Sequence, residues 1–139
     1  GREMNAERTL DWMKKYECSN RSSWVRIFKN FPDISLHNRY WFVQDLANQG
    51  TPVLMTWSGR GHNEVAHMAW VVPGKQFDME KGPYISQAGR TNFGVLDPIL
   101  AEDGFFNKWI NKYNSEWEYW TLKQAYPVFC GNSIHNTSE

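Results

Sequence analysis

Asn63-Glu64-Val65-Ala66-His67-Met68-Ala69-Trp70-Val71-Val72-Pro73-Gly74 is the stretch that decides the fold. It reads as a β-strand, because branched and aromatic residues crowd it and a Pro-Gly turn closes it. Strand alternation sets Val65, His67, Ala69 and Val71 on one face and Ala66, Met68, Trp70 and Val72 on the other. Both faces are apolar, so the strand is expected to be covered on both sides. One imidazole near the start of such a strand is either a satisfied core histidine or the base of an active site.

Residues 51–57, ending Val53-Leu54-Met55-Thr56-Trp57, form the preceding strand. The Gly-rich turn at 58–63 makes it the antiparallel partner of the His67 strand. Residues 83–89 are a third strand, and 116–123 alternate as a fourth, with Trp117, Tyr119 and Thr121 opposite Glu118, Trp120 and Leu122. Further upstream, residues 36–49 carry Tyr40, Phe42, Val43, Leu46 and Ala47 on one helical side, and Gly50 stands where a C-terminal glycine belongs. Residues 6–17 read as a helix capped by Asn5, with Leu10, Met13 and Trp12 as its apolar contacts. The apolar segment 24–28 fits either type, and 105–113 reads as a short helix. Helices followed by a meander of strands give an α+β class: an antiparallel sheet packed against N-terminal helices, as a single domain over residues 1–139.

Fifteen basic residues balance fifteen acidic ones, so there is no electrostatic case for a nucleic-acid partner. No apolar run approaches the roughly 18 residues that a membrane span needs. Eight Trp, eight Phe and six Tyr predict a large-ringed core, and Trp57, Trp70, Tyr84 and Phe93 either wall a groove or belong to that core. The polar opening Gly1-Arg2-Glu3 shows no signal peptide and reads as a fragment boundary, at which any native leader would already be gone. Cys18 and Cys130 allow one disulfide, one nucleophile with a bystander, or two inert thiols. A disulfide between them fits an exported protein. The sequons at Asn20 and Asn136 are weak signals.

Three chemistries compete. The spacing His62-x-Glu64-x-x-His67 departs from the helical zinc pattern, so no metal and no cofactor is expected. Asp97, Glu102, Asp103, Glu116 and Glu118 single out no facing carboxylate pair, and surface charge explains them better than a glycosidase does. A cysteine nucleophile needs a thiolate beside an imidazole and a polar group to orient the ring. His67 as base, Ser86 or Gln87 on the next strand as orienter, and Cys18 as thiol make up that set.

In this light the chain resembles the papain-like peptidoglycan amidases and endopeptidases, especially the small type VI secretion amidase effectors. The matching segments are Met4-Asn5-Ala6 with Trp12-Met13, Trp24, Gln44-Asp45-Leu46-Ala47-Asn48-Gln49-Gly50, Val53 to Trp57, Ala66 to Gly74, and Gly82-Pro83-Tyr84-Ile85-Ser86-Gln87-Ala88-Gly89. Their order and spacing carry the likeness across residues 4 to about 90. The resemblance implies a secreted or periplasmic bacterial protein that hydrolyses an amide bond of peptidoglycan stem peptides, with His67 as general base. It also leaves room for an immunity or inhibitor protein as partner. In such enzymes the cysteine opens a helix upstream of the segment like Met4-Asn5-Ala6, in a motif like Asn/Asp-Cys-Ser-Gly-Phe. Glu17-Cys18-Ser19 is similar to that motif and then departs from it at Asn20-Arg21. Three outcomes follow: a thiol outside this chain, Cys18 as nucleophile, or a non-catalytic relative that binds cell-wall peptides or a protein.

Overall fold

The computed structural model describes residues 2–58, 67–74, 81–87, 99–100 and 117–130. Its elements in chain order are α1 (Arg2–Lys15), β1 (Trp24–Ile27), α2 (Leu36–Asn48), β2 (Val53–Trp57), β3 (His67–Val71), β4 (Tyr84–Gln87), β5 (Ile99–Leu100), β6 (Glu118–Leu122) and a 3-10 turn at Pro127–Cys130. The strands make one sheet in the order β1-β6-β2-β3-β4-β5, with every neighbouring pair antiparallel. The α+β class and the β2–β3 pairing agree with the sequence reading. The ambiguous segment after Ser23 is a strand at the edge of the described sheet, paired with β6 through partners from Trp24↔Leu122 to Ile27↔Tyr119. The helix expected at 105–113 lies outside the described residues.

Alternation along the two central strands explains the layers. Val53, Met55 and Trp57 of β2, with Trp117 and Tyr119 beside them, enter one core together with Tyr40, Val43, Leu46 and Ala47 of α2. Leu54 and Trp120 point the other way, against Leu10 and Met13 of α1. The sheet therefore lies between two helices, and β2 is buried at all five positions. Trp120 is fully buried, and its indole N–H donates to Thr56 Oγ1 at 2.9 Å, so the ring is satisfied as well as packed. The Tyr119 hydroxyl is buried without a hydrogen-bond partner among the described residues. Burial, and then the neighbouring Tyr40, push its ionisation upward.

Two expectations about coverage need correction. Trp12 does not join the core; it is 41% exposed, because only Leu10 and Met13 of its neighbours face the sheet. The outer face of β3 is covered in part: Met68 packs under α1, but Trp70 is 47% exposed and leans on Trp24, ring centroids 5.7 Å apart.

Helix α2 shows why its ends fall where they do. The Ser35 hydroxyl accepts from the Asn38 N–H at 3.2 Å and caps the first turn. At the other end Gly50 adopts φ 94°, with its N–H on the Ala47 carbonyl and the Thr51 N–H on Leu46. That pair of bonds is the glycine-terminated C-cap anticipated at this position.

A buried amide locks α2 to the sheet. Gln44 is 1% exposed. Its Nε2 donates to the Val72 carbonyl at 2.8 Å and to Asn48 Oδ1 at 3.0 Å, and its Oε1 accepts from the Tyr84 N–H at 2.9 Å. Asn48 Oδ1 in turn accepts from the Gly74 N–H at 2.8 Å. Two side-chain amides thus hold backbone groups at the carboxyl end of β3 and the start of β4. Replacing Gln44 by Leu keeps the volume but leaves the Val72 carbonyl and the Tyr84 N–H without this partner. The expected cost is about 2 kcal/mol, read as an earlier urea midpoint; an unchanged midpoint would refute the clamp.

Candidate functional site

His67 opens β3 directly opposite Trp57, the last residue of β2. It is half-buried, at the margin of the core instead of sealed within it. Alternation sets it on the α2 face of the sheet with Ala69 and Val71, beside the fully buried Trp57 ring. Trp57 and Trp117 pack at 5.7 Å between centroids and form an aromatic wall next to the imidazole's strand position.

The adjoining strand separates the two candidate orienting residues. Gln87 pairs with Ala69 and Ser86 pairs with Trp70. By register Gln87 therefore occupies a position on the face of His67, diagonal to it across the strand pair. Ser86 belongs to the opposite face and is 8% exposed. Of the two, Gln87 shares the sheet face of His67 and Ser86 does not.

The thiol expectation is corrected outright. Cys18 is bonded to Cys130, with Cα atoms 5.4 Å apart, and neither cysteine is free. A sulfur in a disulfide is no nucleophile. Sheet order adds a second objection. The 3-10 turn bearing Cys130 packs on β1, and β1 lies three strand spacings from β3, about 14 Å. Cys18 and His67 therefore belong to different parts of the sheet.

The expected aromatic groove is also revised. Trp57 faces the α2 core, whereas Trp70 faces the α1 side, so the two cannot wall one groove. Tyr84 is half-buried, and its register puts it on the Trp70 face of the sheet. A cavity of about 270 Å³ does border Trp70, Val72, Pro73, Ala47, Pro52 and Ser86. It lies at the carboxyl end of β3, the end away from His67, so it is not the imidazole's own cleft. Phe93, His62, Glu64, Asp97, Glu102, Asp103 and Glu116 lie outside the described residues. Among the described residues no three His, Cys, Asp or Glu side chains are grouped to hold a metal ion.

Glu118 is explained structurally. Its carboxylate takes Lys14 at 2.9 Å and Arg26 at 2.8 Å. Arg26 also meets Glu17 at 2.7 Å, and Lys29 reaches Glu17 at 3.0 Å. The Glu17 side chain is only 3% exposed. Burial works against its charge, yet hydrogen bonds from the Arg26 side chain and backbone and from Lys29 outweigh that and hold its carboxyl below the usual range. The sequence reading missed both this network and Gln44. The available signal for Gln44 was a polar residue set between Val43 and Leu46 in the buried stripe of α2.

No protein-family model matches the chain, and no curated protein or solved structure matches it either.

Proposed function

We propose that this domain serves amide-bond hydrolysis in bacterial cell-wall peptides by the papain-like cysteine mechanism, with His67 as general base and Gln87 as the group that orients its ring. The observation that carries the reading is the register of β3 and β4, which sets Gln87 on the face of a half-buried His67 at the end of the sheet. A side-chain amide accepts from an imidazole N–H without adding a full charge, which suits a base that must shuttle a proton. The thiol is then neither Cys18 nor Cys130; it comes from a segment preceding residue 1 and attacks the scissile carbonyl, while His67 passes its proton to the leaving amine. The Cys18–Cys130 bond supports an oxidising location, secreted or periplasmic.

A second reading is favoured by the same bond. With both cysteines paired, the domain binds stem peptides or a protein, such as an immunity or inhibitor partner, and cleaves nothing.

The test uses the polypeptide extended on its amino-terminal side and purified peptidoglycan, with released peptides read by mass spectrometry. The proposal expects release that is lost in His67→Ala and that proceeds in the parent while Cys18 and Cys130 remain bonded to each other. Release by His67→Ala at the parent rate would sink it. Saturable stem-peptide binding with no release would establish the second reading instead.

A further inference from the structure

Away from His67, at the β1–β6 edge of the sheet, two features meet that neither core packing nor the proposed chemistry uses. The first is a ladder of rings and cations on the outer side of α1. Arg8, Trp12, Lys15 and Tyr16 follow the i, i+4, i+7, i+8 spacing of one helical face. Trp12 and Tyr16 are in ring contact at 5.3 Å. The Arg21 guanidinium lies 4.2 Å from the centre of the Tyr16 ring and donates from Nη1 to the Tyr16 hydroxyl at 2.9 Å. Lys15 stands 5.4 Å from the same ring. Two carboxylates border that face, Asp11 four residues before Lys15 and Glu7 beside Arg8, against the three cations Arg8, Lys15 and Arg21. Cations therefore exceed anions there, in a chain whose overall charge is zero.

The second feature is a cavity of about 300 Å³ lined by Asn20, Ser22, Ser23, Leu122, Lys123 and Gln124. Five of those six side chains are hydrogen-bonding groups, the reverse of the apolar cavity at Trp70. Ser19 joins the two features. Its hydroxyl donates to the Tyr16 carbonyl at 2.7 Å and accepts from the Arg21 N–H at 3.2 Å, and its carbonyl accepts from Lys123 Nζ at 2.6 Å. The adjacent disulfide at Cys18 ties the same turn to Cys130. The ladder and the cavity are thus one braced unit.

We propose that this unit binds a carboxylate-bearing glycan chain. The exposed Trp12 ring, held by Tyr16, suits the C–H face of a sugar ring, the amide and hydroxyl lining suits its hydroxyl and acetamido groups, and Arg21 and Lys123 suit a carboxylate. A purely apolar partner would waste the cavity, and a bare polyanion would waste the rings. The choice of cell-wall glycan as this chain rests on the cell-wall reading above, but the site needs no contribution from His67 or from any thiol.

The probe is peptide-free glycan strands of alternating N-acetylglucosamine and N-acetylmuramic acid, which contain no stem-peptide bond to cleave. Titration of the 139-residue chain is expected to give saturable binding that weakens as salt rises. Trp12→Ala and Arg21→Ala, both at exposed positions, should each raise Kd at least tenfold with unchanged unfolding midpoints. His67→Ala should bind as the parent does, which separates failure of this site from failure of the hydrolase reading. Chitin oligomers, which share the rings but lack the carboxylate, should bind at least tenfold more weakly. Absent binding, unaffected Trp12→Ala and Arg21→Ala variants, equal binding of chitin, or equal binding of phosphatidylglycerol vesicles would each overturn the proposal.

Discussion

Reduction of the Cys18–Cys130 disulfide is expected to remove about 4–5 kcal/mol of stability. The bond joins residues 112 apart in sequence, and closing a loop of that length takes roughly this much from the unfolded chain's conformational freedom. A domain of this size has only about 5–15 kcal/mol in total, so the reduced protein should stand near the edge of folding. The structural consequence should be local at first. The bond staples the 3-10 turn at Pro127–Cys130 against β1, whose one strand partner among the described residues is β6. Urea unfolding with and without a phosphine reductant should show the midpoint falling by roughly 2 M at an ordinary slope. Cys18→Ser/Cys130→Ser should unfold as the reduced parent does. A midpoint insensitive to both treatments would show that the crosslink constrains little.

Glu17→Gln is expected to cost about 3 kcal/mol near neutral pH, because it leaves the Arg26 guanidinium with one of its two carboxylates in a partly buried site. Arg26 is itself raised, since hydrogen bonds from its side chain to Glu17 and Glu118 more than offset burial. Its guanidinium also lies 5.5 Å from the centre of the Trp120 ring, so the charge sits on the roof of the α1-side core. The pH dependence has a definite sign. The folded-state carboxyl of Glu17 titrates below its ordinary value of 4.5, so the stabilisation is present above that pH and is lost as pH falls through the folded value. The gap between parent and Glu17→Gln should therefore narrow on acidification and stay constant from pH 6 to 8. A gap that widens in acid would mean that the carboxyl is held neutral, contrary to the bonds it accepts.

Glu17 has no local signature in the sequence. A glutamate at the end of an amphipathic helix looks like solvated charge, and nothing local announces that the N–H of Arg26 will descend onto it at 2.7 Å. The same limit hid the register of Ser86 and Gln87. Both were candidates because each is polar and stands on the strand that follows the His67 strand. Only the pairing of Gln87 with Ala69 and of Ser86 with Trp70 assigns them to opposite faces.

Local periodicity and turn chemistry by themselves determined most elements of the described chain. They yielded α2 with its Gly50 cap, β2 and β3 as an antiparallel pair, β4 and the alternating β6, because each depends on residues within a few positions of one another. Tertiary structure alone decided that β6 lies between β1 and β2, that Trp57 and Trp70 face apart, and that Cys18 spends its sulfur on Cys130. Those outcomes are contacts between residues far apart in the chain, whose energies appear only once the sheet order has brought them together.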